Sequence, residues 1–282
     1  MPLVHTRELV DEARRSSGAV PAFNVITLEH AEAIAAGAER AGRPAILQIS
    51  ENAVRYHQGQ LQPLARAVLA VAELSTAPLS VHLDHVEDEE LLQQSASAGV
   101  SSVMFDASKL EFGQNLARTK AAADWAHEHG MWMEAELGEV GGKDGAHAPG
   151  VRTDPREAAD FVSRTGVDGL AVAVGSSHAM VDRVARLDFE LVVALQRAVP
   201  VPLVLHGSSG VADEDLRRAV RAGITKVNVG TILNVAFTGA VREQLVDARV
   251  VDPRKYLAPA REAVSDTVAS ILRVLDVGTV EN

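Results

Sequence analysis

Eight short apolar runs, each bounded by turn residues and each followed by a helically patterned stretch, constrain the fold of this 282-residue chain more than anything else in it. The runs are residues 19–26, 45–50, 79–84, 102–106, 131–137, 169–174, 202–206 and 226–229. The helical patterns occupy 28–41, 60–74, 88–98, 112–129, 154–164, 188–198, 213–222 and 232–245. Strands that are apolar almost throughout need cover on both faces, and strand–helix alternation supplies it with a parallel sheet. Asp154-Pro155 and Asp213 supply helix starts, and Gly42, Gly99, Gly166 and Gly223 supply stops. Eight such units predict one α/β domain over 1–282, a TIM (β/α)8 barrel of ordinary length, with a C-terminal helical extension at about 253–275. The long irregular stretch 138–153 is Gly-rich and carries Lys143, Asp144 and His147. In a compact domain such a loop is usually functional or mobile.

Charge and cysteine content exclude whole classes of activity. Lys and Arg number 27 against 38 Asp and Glu, a net charge of −11. Nonspecific nucleic-acid and anionic-membrane binding draw on clustered cations, so neither partner is expected. No apolar run approaches the ~20 residues of a membrane span. Residues 1–10 lack the basic start and apolar run of a secretion signal, so a cytoplasmic location is expected. With no cysteine, thiolate catalysis, disulfides and thiolate-bound metals are ruled out. Any metal must sit on His, Asp or Glu.

Barrel active sites lie at the C-terminal ends of the strands. Those ends carry Asn24; Ser50; His82, Asp84 and His85; Asp106 and Ser108; Glu134 and Glu136; Ser176, Ser177 and His178; His206, Gly207 and Ser209; and Asn228, Gly230 and Thr231, in strand order. His85, His178 and His206 come from three different strands and can converge on one ion. Neutral imidazole suits Zn²⁺, and three protein ligands leave a position open for substrate. Asp84 fits either a general acid–base or an acceptor that orients a histidine. Glu134 and Glu136 share a strand face, fitting either a cation site or interior carboxylates paired with Lys or Arg. The Gly/Ser loop after strand 7 and the Asn228–Thr231 turn before a helix have the form of a phosphate site. A Schiff-base mechanism would need a desolvated lysine inside the barrel. Lys226 reads as the opening residue of strand 8, at the wrong end, so metal chemistry is favoured. Aldol cleavage, epimerisation or isomerisation, metal-assisted hydrolysis and non-catalytic sugar-phosphate binding all remain compatible with this set.

Longer matches narrow the choice. His82-Leu-Asp-His85, Met133-Glu-Ala-Glu-Leu-Gly138 with Gly141-Gly142, Val172-Ala-Val-Gly-Ser-Ser-His178, Leu203-Val-Leu-His-Gly-Ser-Ser-Gly210 and Val227-Asn-Val-Gly-Thr231 occur in order along the whole chain. Together they resemble the class II, metal-dependent fructose-bisphosphate and tagatose-bisphosphate aldolases. The resemblance implies a lyase that splits a ketose (bis)phosphate into dihydroxyacetone phosphate and an aldehyde. It implies a catalytic Zn²⁺ on His85, His178 and His206, with Asp84 moving the substrate hydroxyl proton. Glu136 matches a carboxylate of a second divalent ion or of the surroundings of the first. Asn24, Ser50 and Asn228 match substrate-binding positions. Ala179, Gly207, Ser209, Gly230 and Thr231 match the phosphate loops, where Na⁺ or K⁺ also binds in the family. Asp144 is the nearest equivalent of an acidic loop base, with His147 as rival. Ala179 replaces a usual glycine, and Ala258 stands where some members carry an arginine for the distal phosphate. A homodimer or homotetramer built through the C-terminal helix is also implied.

Overall fold

The structure is a computed structural model, and it describes residues 3–137, 152–177, 180 and 182–277. Asp144, His147, His178 and Ala179 lie outside the described residues. Strands β1 (Val20–Asn24), β2 (Ala45–Ser50), β3 (Leu79–Val86), β4 (Ser102–Phe105), β5 (Trp132–Leu137), β6 (Gly169–Val172), β7 (Leu203–Leu205) and β8 (Ile224–Val229) close a parallel barrel in sequential order. β8 returns to pair with β1. The helices are α1 (Thr6–Arg15), α2 (Leu28–Ala41), α3 (Glu51–Tyr56), α4 (Leu61–Leu74), α5 (Glu89–Ala98), α6 (Phe112–Glu128), α7 (Pro155–Thr165), α8 (Phe189–Ala198), α9 (Asp213–Ala222), α10 (Thr231–Gln244) and α11 (Pro253–Leu275). The expected TIM barrel with an additional C-terminal helix is therefore present.

Strand boundaries differ from expectation by one to a few residues, and two of the differences matter to the site. β8 starts at Ile224, so Lys226 is its third residue and lies fully buried in the barrel interior. A charged residue reads as a strand boundary only if nothing inside can neutralise it, and here Glu134 on β5 does so at 2.9 Å. β3 runs past Asp84 to Val86, which takes His85 into the strand.

Two helices give no strand–helix repeat in the sequence. α1 is capped by His5, whose side chain accepts from the Arg7 N–H while Glu8 receives the His5 N–H. Its Leu9, Val10 and Ala13 pack on Val20, Ala22, Ile46 and Trp132, near the strand starts, so α1 closes the N-terminal end of the barrel. α3 is a short turn capped by Ser50, whose hydroxyl accepts from the Ala53 N–H.

α11 lies against α2 at a close crossing. A Cβ on Gly37 would meet the Ser265 carbonyl oxygen and the Val268 side chain at 2.7 Å. Alanine normally improves a helix interior by about 1 kcal/mol over glycine. A backbone oxygen at that distance cannot yield without moving a helix, and overpacking costs about 1–3 kcal/mol. Gly37→Ala is therefore expected to lower the melting temperature, despite its helix propensity, when thermal unfolding is followed by circular dichroism.

Candidate active site

The C-terminal mouth of the barrel holds a cavity of about 440 Å³. Asn24, Ser50, Asp84, His85 and Glu136 line it, and so do Gly207, Ser209, Asn228, Gly230 and Thr231. His206 lies buried beneath this lining. Asn24, Ser50, Asp84, His85, Glu136, His206 and the described residues of the two Gly/Ser loops thus come together at one locus.

A bulge in β3 builds the reactive corner. Successive strand residues point to opposite faces, so Asp84 and His85 could not both serve one site in a regular strand. The β3–β4 register shifts between Leu83 and Val86, and His85 takes φ +50°. That is a rare conformation for a residue with a Cβ, and such strain concentrates at functional sites. His85 Nδ1 lies 2.8 Å from Asp106 Oδ2. Asp106 is fixed in turn through its Oδ1, which accepts from the Ser108 N–H and hydroxyl at 3.1 and 2.7 Å. A carboxylate on one ring nitrogen sets the tautomer and directs the other nitrogen inward. His85 Nε2 stands 3.8 Å from Asp84 Oδ2.

His206 sits between two carboxylates. Its Nε2 is 3.1 Å from Glu134 Oε1, and its Nδ1 is 3.0 Å from Glu136 Oε2. The His85 and His206 rings meet edge to face with centroids 4.8 Å apart. One ligand atom each from Asp84, His85 and His206 fall within 4.8 Å of one another, and so do those of His85, Asp106 and Glu136. Imidazole nitrogen and carboxylate oxygen are a donor set for Zn²⁺ or another borderline divalent ion. The residues present therefore fit one divalent ion, with a second carboxylate-rich position beside it.

The electrostatics follow from the same packing. Burial pushes the Asp84 carboxyl up, but the charge of His85, the adjacent His82 imidazole and the nearby Lys226 outweigh it, and its pKa lies well below the usual range. Burial pushes His85 down; Asp84, the Asp106 hydrogen bond and Glu136 reverse this and raise it to about 10. His206 is raised because Glu134 and Glu136 overcome its burial. Glu134 falls to about 2, since Lys226 and His206 outweigh its desolvation. His82 is lowered, first by burial and then by Lys226. Its Nδ1 lies 2.8 Å from the Ser102 hydroxyl and its Nε2 3.6 Å from Asp84 Oδ1, so it braces the aspartate from below.

The opposite side of the mouth is built from the β7 loop and the start of α10. Gly207 adopts φ +67°, and a Cβ there would sit 2.5 Å from the Ser177 carbonyl oxygen. Only glycine lets the two loops touch in this way. Ser208 donates to the Asn228 carbonyl at 2.6 Å, and Ser209 Oγ accepts from the Ile232 N–H at 3.2 Å. These bonds lash the β7 loop to the N-terminus of α10, where backbone N–H groups and the helix dipole favour negative charge.

A profile of the fructose-bisphosphate aldolase class-II family matches residues 4–278. The chain belongs to the class II fructose-bisphosphate aldolase family. Curated relatives agree. The chain is 39% identical over 272 residues to a fructose-bisphosphate aldolase of Staphylococcus aureus, covering 95% of each. It is 40% identical over 278 residues to that of Geobacillus stearothermophilus, covering 97% of this chain and 96% of the other. Among solved structures, the YdjI aldolase from Escherichia coli K12 superposes with a TM-score of 0.84 at 31% identity, over 98% of both chains. A putative fructose-1,6-bisphosphate aldolase from Coccidioides immitis gives 0.86 at 30%, over 98% and 97%. As a class II aldolase the chain is a lyase of a metal-dependent family.

Three residues around the aldolase site were not assigned a role from the sequence: Gln48, Asp106 and Lys226. Asp106 was visible as a carboxylate ending strand 4. Gln48 lies inside the second apolar run, two residues before Ser50 on the same face. Lys226 lies two residues before Asn228, again on the same face, so period-two alternation carried the signal for both.

Proposed function

We propose that this aldolase reversibly cleaves a ketose phosphate such as fructose 1,6-bisphosphate into dihydroxyacetone phosphate and an aldehyde, glyceraldehyde 3-phosphate in that case. The observation that carries this reading is a buried carboxylate, two imidazoles and the glycine-flanked start of α10 around one cavity. His85 and His206, with His178 after β6, would hold one Zn²⁺, and Glu136 with Asp106 would offer a second divalent position. The ion when bound would polarise the ketone carbonyl. Gly207, Ser209, Gly230 and Thr231, with the Ala179 backbone, would take the phosphate, beside which Na⁺ or K⁺ would sit. Asn24, Ser50 and Asn228 would bind substrate hydroxyls. Asp84 is held as a carboxylate, which suits it to accept a proton in the cleavage direction. The C3–C4 bond breaks, the C4 hydroxyl becomes the aldehyde carbonyl, and its proton passes to Asp84. The bonding pair stays on the ketone fragment, which is then protonated at C3 by the loop acid, Asp144. Exposed apolar residues Val235, Leu245, Val246 and Val251, on and between α10 and α11, support a homodimer or homotetramer through this end of the chain.

The test is release of dihydroxyacetone phosphate from fructose 1,6-bisphosphate and tagatose 1,6-bisphosphate, side by side, with and without a chelator. Chelator-sensitive release from one is expected, and the preferred sugar fixes the C4 configuration. No release from either by zinc-loaded protein would overturn the bisphosphate reading.

A further inference from the structure

Lys226 belongs to neither the proposed ligands nor the proposed acid–base groups, yet it is one of the largest fully buried side chains in the molecule. Its ammonium has three N–H donors and no acceptor. Three acceptors meet it: Glu134 Oε2 at 2.9 Å, Asn228 Oδ1 at 2.7 Å and Gln48 Oε1 at 3.4 Å. We infer that Lys226 is a positioning residue that sets the polarity of the whole pocket floor, fixing which atom of each surrounding amide and carboxylate faces metal and substrate.

The argument follows from donor and acceptor bookkeeping. A side-chain amide has one accepting and one donating end, and a cation can only bond the accepting end. Asn228 must therefore turn Oδ1 to Lys226, which aims Nδ2 at Asp84 Oδ1, 3.5 Å away. Gln48 must likewise turn Oε1 inward, so its Nε2 donates to Asn24 Oδ1 at 2.7 Å. That occupies the accepting end of Asn24 and leaves Nδ2 against the α10 loop, where a Cβ on Gly230 would stand 3.0 Å from it. A donor thus faces the phosphate loop because a lysine two side chains away faces the other way. The third arm runs through Glu134, whose Oε1 meets His206 Nε2 at 3.1 Å. With a metal bound, the anionic acceptor there would keep the ring proton on Nε2 and free Nδ1, which faces Glu136 Oε2 at 3.0 Å in this structure, to serve as the ligand atom. An all-donor cation at the hub is what makes the three arms agree. A neutral residue of the same size would leave each amide free to flip.

Two arms can be cut separately, and the second cut rests on the aldolase reading while the first does not. Lys226→Met strands a carboxylate in a dry interior, so the informative variant is Lys226→Met/Glu134→Gln, which removes both charges and keeps the volume. Zn²⁺ affinity of chelator-stripped protein, measured by competition with a chromophoric chelator, is expected to fall about 10–100-fold, as for other partners of metal-bound histidines. The visible absorption of the Co²⁺-substituted protein should shift with it. A purely structural ion pair would leave both readouts unchanged, and a folded double variant within twofold of the parent in Zn²⁺ affinity would overturn the His206 arm. Gln48→Leu leaves Lys226, Glu134 and His206 in place. It is expected to raise KM for the ketose phosphate several-fold with unchanged Zn²⁺ affinity. An unchanged KM would overturn the Asn24 arm, and a parent protein that releases no dihydroxyacetone phosphate would instead count against the proposed reaction.

Discussion

Asp84→Ala is expected to lower kcat by roughly 10²–10⁴-fold, the range for losing a positioned acid–base group, while the protein still retains its divalent ion. Both halves of that outcome matter. Asp84 has a carboxylate oxygen close enough to His85 and His206 to be a ligand, so geometry alone allows two roles. A ligand role predicts loss of metal, whereas an acid–base role predicts loss of turnover with metal in place. The surroundings favour the second. His82 supports Asp84 Oδ1 from below at 3.6 Å and Asn228 reaches the same oxygen at 3.5 Å, which leaves Oδ2 on the side of His85 and the cavity. Metal content by atomic emission, read beside steady-state kinetics on the same preparation, checks the prediction. An alanine variant that turns over at the parent rate, or one that has lost its metal, would refute the assigned role.

Most of the barrel was legible because its signals are local. Apolar runs, caps and stop glycines are properties of a few adjacent residues, and eight of them in order leave little topological freedom. The strand-end rule then pointed to Asp84, His85 and His206 before any contact was known. What stayed hidden depends on residues far apart in the chain. Lys226 appeared to sit at a strand boundary because the sequence does not show that Glu134, 92 positions earlier, meets it across the barrel. The bulge that turns His85 toward Asp84 arises from a register shift between β3 and β4, and no residue type announces it. α1 was missed for a related reason. It belongs to no strand–helix repeat, and its apolar face makes sense only against the barrel floor.

Metal uptake by the stripped protein should depend steeply on pH. Imidazoles bind metal only when neutral, so each protonated ligand must release its proton first. In the metal-free protein His85 is held protonated to about 10, against an ordinary value of 6.5, because Asp84, the Asp106 hydrogen bond and Glu136 together outweigh its burial. The sign of its contribution to folding follows. A raised pKa stabilises the metal-free fold fully below 6.5, and that stability is lost as pH rises toward 10. Zinc binding runs the other way, since its competitor is the proton. At pH 7.5, calorimetry in buffers of different ionisation enthalpy should show release of at least about one proton per Zn²⁺, that of His85, and the raised pKa of His206 acts in the same direction. Over this interval the affinity should climb about tenfold per pH unit for each proton released. Binding with no net proton release would mean that these imidazoles are already neutral in the metal-free protein, and that the ring of carboxylates around them does not act as the distances imply.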